Sequence, residues 1–163
     1  MSCISGLSVR PAKLSEAEAL TSIALLSKGS WGYPDEYLQL WKDELTITGA
    51  YIDAHVVWCA EQGGTVVGFY SLTQVAEGLE LDFLYLLPDH MGQGVGSALL
   101  RHAMEHARAM GVQSLRIVSD PNAEGFYTKH GARRIGMMPS KPDGRSIPLL
   151  RLQVSRAPVH DQK

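Results

Sequence analysis

The stretch Glu80-Leu-Asp-Phe-Leu-Tyr-Leu-Leu-Pro-Asp-His-Met-Gly-Gln-Gly-Val-Gly-Ser-Ala-Leu-Leu100 organises the rest of the chain. It reads as a buried strand, a glycine-rich turn and the opening of a long helix. Residues 79–87 carry leucine or aromatic side chains at almost every position, bounded by Gly78 and Pro88. Gly92, Gly94 and Gly96 leave three backbone positions without a Cβ, so the chain can turn tightly and a ligand can reach the main chain. From Gly96 onward, Leu99, Leu100, Ala103, Met104, Ala107 and Met110 recur at helical spacing. Arg101, His102, Glu105 and Arg108 fall mostly on the other side. Free amides at a helix start, at the positive end of its dipole, suit a phosphate.

Two common phosphate motifs are excluded by spacing. A dinucleotide fingerprint needs Gly-x-Gly-x-x-Gly, whereas this turn is Gly-x-Gly-x-Gly with no acidic residue placed for a ribose. A nucleotide-triphosphate loop needs Lys-Ser/Thr after its last glycine, and Ser97-Ala98 is not that pair. The segment resembles instead the acetyl-CoA signature of the GCN5-related N-acetyltransferase (GNAT) superfamily, Arg/Gln-x-x-Gly-x-Gly/Ala, in frame after a strand ending Leu-x-Leu-x-Pro. Met91 stands where that signature has Arg or Gln, which removes one polar side chain but leaves the backbone amides. Downstream, Asp120-Pro-Asn-Ala123-Glu-Gly-Phe-Tyr127-Thr-Lys-His-Gly131-Ala132 resembles the superfamily's Asn-x-x-Ala-x-x-x-Tyr-x-x-x-Gly-Phe. Asp120 replaces the Asn and Ala132 the Phe. The two motifs are correctly ordered and separated by one strand, and the resemblance covers roughly residues 7–153.

Composition narrows the setting. The 163 residues are 45% hydrophobic and 20% charged, with a net charge of −2. That fits one domain over residues 1–154 with a tail at 155–163, and leaves no electrostatic footprint for nucleic acid or an anionic membrane. Cys3 and Cys59 form neither a metal pattern nor a disulfide framework. With no secretory leader and no apolar run of membrane length, a cytoplasmic setting is expected.

Taken in order, Leu7 to Pro11 reads as a first strand. Ser15 with Glu18 reads as a capping box opening a helix whose Leu20, Ile23, Ala24 and Ser27 share a face. Residues 29–34 break it and Asp35 opens a second helix through Tyr37, Leu38, Leu40, Trp41 and Leu45. Residues 54–62 and 65–75 read as strands joined at Gly63-Gly64, with strand 79–87 as their neighbour. Helix 96–110 then forms a crossover to strand 114–118, which should run parallel to 79–87. A helix begins near Pro121 and stops at Gly131. Strands at 133–138 and 146–154 close the chain around a 139–145 loop.

The resemblance implies a mixed α/β (α+β) fold: antiparallel N-terminal strands, a central parallel pair splayed at the cofactor, and flanking helices. It implies acetyl-CoA as cosubstrate, held by amides of Met91, Gly92, Gln93, Gly94, Val95, Gly96 and Ser97. The main chain of Leu84, Tyr85 and Leu86 would orient the thioester, and Asn122, Phe126 and Tyr127 would face the cofactor. Tyr127 matches the family's general acid. Glu80 matches a position where some members keep a glutamate base. Strand alternation would put Glu80 and Asp82 on the face of Leu84 and Leu86, leaving Glu80, Asp82 or water as the base. Trp31 and Tyr33, in a Gly/Pro-flanked loop, either cover the sheet or line the acceptor pocket. His102 and His106 sit on the helix's polar side with no third ligand, so no metal is expected. The reaction implied is transfer of acetyl to a primary amine by direct attack, the acceptor being a small amine or amino acid. The alternatives are a protein or peptide amine, or a non-catalytic CoA sensor. A homodimer through the C-terminal strands is a fold-level expectation.

Overall fold

The computed structural model describes residues 5–155; Cys3 and residues 156–163 of the expected tail lie outside them. Among the described residues, one mixed sheet carries seven strands in the order β1-β2-β3-β4-β5-β7-β6. The strands are β1 (Leu7–Pro11), β2 (Val56–Gln62), β3 (Thr65–Val75), β4 (Gly78–Leu86), β5 (Ser114–Val118), β6 (Arg133–Ser140) and β7 (Arg145–Gln153). The helices are α1 (Ala17–Gly29), α2 (Asp35–Trp41), α3 (Gly49–Ala54), α4 (Val95–Ala109) and α5 (Glu124–Lys129). All strand neighbours are antiparallel except β4 and β5, which run parallel as the crossover through α4 requires.

The sheet is covered on both faces. Against one, α4 buries Leu99, Leu100, Ala103 and Ala107 onto Tyr70, Leu72, Leu81 and Ile117. Against the other, α1 buries Leu20, Ile23 and Ala24 with Trp41, Leu45 and Ile52 onto Phe69 and Phe83. Burial of this kind contributes roughly 25 cal/mol per Å² of apolar surface. β3 and β4 approach closely at Gly68, where a Cβ would lie 2.6 Å from Leu86 Cδ2 and 3.0 Å from the Tyr85 carbonyl oxygen. Any larger residue would push β4 off β3 just where β4 borders the cleft described below.

Three expectations are corrected. The Ser15–Glu18 box does not form: a 3-10 turn (Leu14–Glu16) comes first and α1 begins at Ala17. Glu16 closes that turn, accepting from the Lys13 amide at 2.8 Å. It is drawn there by Arg10, which also bonds Glu61. The strand expected from 54 starts at Val56, because Thr48 caps the Tyr51 amide at 3.0 Å and opens the helix α3. The 139–145 loop shrinks to a turn over 141–144, since β6 continues to Ser140. No helix among the described residues is long and apolar enough to cross a membrane.

Candidate active site

β4 and β5 share one register pair, Glu80 opposite Arg116, and then part. Leu84, Tyr85 and Leu86 keep their partners on β3 but none on β5. The alternate amides and carbonyls on that edge of β4 therefore face a gap, and buried backbone groups need partners. A cleft of about 400 Å³ occupies it. Leu84, Tyr85 and Leu86 form one wall and Val118, Ser119 and Asn122 the other.

The floor is the start of α4. Gly94, its N-cap, has φ 91°, a left-handed conformation that only glycine adopts without strain. The Ala98 amide bonds the Gly94 carbonyl at 3.0 Å, which is the first bond of the helix. The amides of Val95, Gly96 and Ser97 thus have no intrahelical acceptor and sit at the positive end of a fifteen-residue helix. Gly92, Gly94, Gly96 and Ser97 all line the cleft, as does Met91. A Cβ on Gly96 would sit 3.4 Å from Leu86 and 3.5 Å from Phe126, in ordinary van der Waals contact with both. These features suit the pyrophosphate of a CoA molecule. Val95 offers only its backbone, its side chain being core. The Gln93 side chain instead turns back to the Asp89 carbonyl at 3.2 Å.

Tyr127, Phe126 and Asn122 also line the cleft. Tyr127 is 6% exposed, and its hydroxyl has no hydrogen-bond partner among the described residues. Burial first, then the nearby Asp120 charge, push its pKa well above the ordinary tyrosine value. It therefore stays protonated and can donate. Tyr85 is pushed up in the same way.

The acidic pair is not arranged as strand alternation predicts. A bulge opposite Ser71/Leu72 leaves Asp82 without a partner on β3 and reverses the faces of β4. Leu79 and Leu81 pack on the α4 side, Phe83 then turns to the α1 side, and Leu84 and Leu86 return to the first. Glu80 consequently does not share a face with Leu84. It pairs with Arg116 at 3.1 Å and lies outside the cleft lining. Burial, with a contribution from Asp82, raises the Glu80 pKa despite that partner. Asp82 does line the cleft, at the bulge. Its carboxylate accepts from the Tyr51 hydroxyl, which also bonds the Ser71 hydroxyl at 2.8 Å.

Trp31 lines the cleft and is 40% exposed. Tyr33 does not. It packs edge-on against Trp41 at 4.8 Å and gives its hydroxyl to Asp120 at 2.9 Å. The histidines of α4 also differ from expectation: His102 is half-buried, with Nδ1 2.7 Å from the buried Tyr70 hydroxyl and its ring against Trp58. The His90 Nδ1 beside the glycine turn is buried without a partner among the described residues. Cys59 is buried, and burial followed by Glu16 pushes its thiol up to about 12, which leaves it unreactive. Tyr51, Ser71 and Lys28 are site residues that the sequence did not flag. Tyr51 sits on an unforeseen helix and Lys28 reaches Asp120 across 92 positions. The one available signal was Asp120 itself, a carboxylate where the resembled motif has a neutral Asn.

A sequence model of the acetyltransferase (GNAT) family matches residues 18–132. The chain belongs to that family. This GNAT chain is 36% identical over 104 residues to rat (Rattus norvegicus) N-acetyltransferase family 8 member 2, covering 58% of this chain and 46% of that protein. It is 36% identical over 86 residues to the peptidyl-lysine N-acetyltransferase YjaB of Salmonella typhimurium, covering 53% and 55%. The chain thus matches about half the length of these relatives. The PaiA N-acetyltransferase of Thermoplasma acidophilum, solved in complex with coenzyme A, shares the fold with a TM-score of 0.74 at 22% identity. That match covers 90% of this chain and 98% of that one. A GCN5-related N-acetyltransferase of Rhodopseudomonas palustris shares it with a TM-score of 0.79 at 23% identity, over 94% and 99%.

Proposed function

We propose that this GNAT protein is an acetyl-CoA-dependent N-acetyltransferase that acts on a primary amine by direct attack. The observation that carries this reading is convergence in one cleft. The free amides of α4, the unpaired edge of β4, a protonated buried tyrosine and an accessible carboxylate all face the same 400 Å³. Bound there, acetyl-CoA supplies an activated acyl group and a sulfur leaving group.

The chain's own groups then have separate tasks. Amides from Gly92 to Ser97 hold the pyrophosphate, supported by the dipole of α4. Main-chain groups of Leu84 to Leu86 orient the thioester and give its oxygen a donor, a role worth about 3–4 kcal/mol per donor in acyl transfer. Tyr127 gives its Oη proton to the sulfur. Asp82, set at the bulge by Tyr51, receives the acceptor's ammonium and passes its proton to solvent, with Trp31 over it. Glu80 stays paired to Arg116 and shapes the local field.

The acceptor on this reading is a small cationic amine. The similarity to a peptidyl-lysine N-acetyltransferase favours a lysine side chain as a second reading. The test is release of free CoA from acetyl-CoA with arylalkylamines, polyamines, amino acids and lysine peptides. Turnover of at least one class is expected. CoA binding with no turnover of any would replace the enzyme reading with a sensor.

A further inference from the structure

The cleft wall near Tyr127 carries a carboxylate that an acid step would be better without. Asp120 lines the cleft between Ser119 and Asn122, with its side chain 9% exposed. A negative charge there opposes both a phenolate on Tyr127 and negative charge on a departing sulfur. The fold supplies a counter-charge from a distant part of the chain. Lys28, in the last turn of α1, places Nζ 2.6 Å from Asp120 Oδ2, with its own side chain 13% exposed.

The pair is held on every side. The Tyr33 hydroxyl donates to Asp120 Oδ2 at 2.9 Å, and the Asn122 backbone and side-chain nitrogens donate to Oδ1 at 2.8 and 2.9 Å. Arg145 of β7 donates to the same Tyr33 hydroxyl at 2.9 Å. The Lys28 ammonium and the Arg145 guanidinium each lie 5.0 Å from the Trp41 ring centroid. The charged and titratable groups around Asp120 are thus Lys28 from α1, Tyr33 from the loop after it, Arg145 from β7, Tyr127 from α5 and Tyr85 from β4. An exposed surface pair would be worth little; this one is largely buried, and its carboxylate accepts from Lys28, Tyr33 and Asn122.

We propose, resting on the acetyl-transfer reading, that Lys28 is a charge-compensating positioning residue for the acid step. It cancels Asp120 so that Tyr127 can place its proton on the departing sulfur. In that step the acceptor nitrogen forms the N–C bond, the C–S bond breaks, its electron pair stays on sulfur, and sulfur takes the Tyr127 proton. The nitrogen sheds two protons: one restores Tyr127 by way of solvent, and one leaves through Asp82.

The test uses Lys28→Met, with Lys28→Gln in parallel because it keeps a hydrogen-bond donor for Asp120 and so guards the fold. Calorimetry compares coenzyme A with desulfo-coenzyme A from pH 7 to 10. In the wild type the affinity ratio holds as the thiol ionises. In either Lys28 variant it falls steadily as pH rises, toward a limit of about tenfold at full ionisation, the weight of one pKa unit. The second readout is kcat on the best amine, normalised to CoA-binding stoichiometry. The Lys28 variants are slower by about tenfold at pH 8 and approach the wild type near pH 6, where an unpaired, buried Asp120 takes up a proton. Lys28→Met with Asp120→Asn removes both charges and recovers the wild-type ratio and the wild-type pH dependence. A CoA to desulfo-CoA ratio unchanged in both Lys28 variants overturns the proposal, as does a double variant as impaired as Lys28→Met. A wild type that binds CoA but acetylates no amine removes the acetyl-transfer reading, and the calorimetric comparison still judges Lys28.

Discussion

The two halves of the cleft are built from different materials. The half proposed to hold the cofactor is made of backbone: the φ of Gly94, the free amides of Val95 to Ser97, and the β4 edge left open where β5 turns away. The half proposed for the acceptor is made of side chains that meet from distant parts of the chain. Tyr51 reaches Asp82 across 31 positions, Tyr33 reaches Asp120 across 87 and Lys28 reaches it across 92. A backbone site fails when the chain can no longer adopt its conformation, whereas a side-chain site fails one hydrogen bond at a time. The contrast predicts a large, binding-specific loss on one side and graded, rate-specific losses on the other.

The largest effect is expected at Gly94. Valine there must adopt a positive φ that β-branched residues resist. Affinity for acetyl-CoA should fall on the order of 100-fold as the α4 amides are displaced, with the melting temperature lowered by only a few degrees. Calorimetry and thermal unfolding check the two parts. Equal affinity would mean that the helix start does not hold the cofactor.

Tyr127→Phe probes the boundary between the halves. Turnover should drop about 100-fold, the weight of one positioned proton donor, with acetyl-CoA affinity almost unchanged. A variant as fast as the wild type would remove Tyr127 as the acid. In the acceptor half, Asp82→Asn should lower kcat/KM for the amine about tenfold or more, and Glu80→Gln less, because Asp82 lines the cleft while Glu80 is held by Arg116. The reverse order would transfer the base role to Glu80. Tyr51→Phe should cost only about threefold, by freeing the Asp82 carboxylate rather than removing it.

The smallest effect is on stability. Burial alone would raise Asp120, but Lys28, the Asn122 amide and Tyr33 together hold it below the ordinary aspartate value of 3.8. A carboxylate with a lowered folded pKa stabilises the fold above its unfolded pKa and loses that contribution as pH falls through the folded value. The wild type should therefore lose melting temperature on acidification below about pH 4. Lys28→Met/Asp120→Asn should lose less. Parallel curves would show that the pair adds nothing to folding.

Legibility from sequence follows the same division. The strand at 79–87, the helix at 96–110 and the parallel crossover were readable to within a residue because apolar periodicity and glycine punctuation are local signals. The position of Tyr127 on the cleft wall was readable too, carried by a spaced motif. The Asp82 bulge was not, since it depends on the register between β3 and β4, and one inserted residue reverses every face after it. α3 was missed because six residues opened by Thr48 show no periodicity. The Lys28–Asp120 pair, closed across 92 positions, leaves no local trace beyond the substitution of Asp for Asn.

The central claim is that the start of α4 and the open edge of β4 together hold acetyl-CoA. Calorimetric titration of wild type and Gly94→Val with coenzyme A tests it directly. The account predicts saturable binding by the wild type in the range of about 1 µM to 1 mM and binding by the variant weaker on the order of 100-fold. Equal binding by both, or none by the wild type, would contradict it.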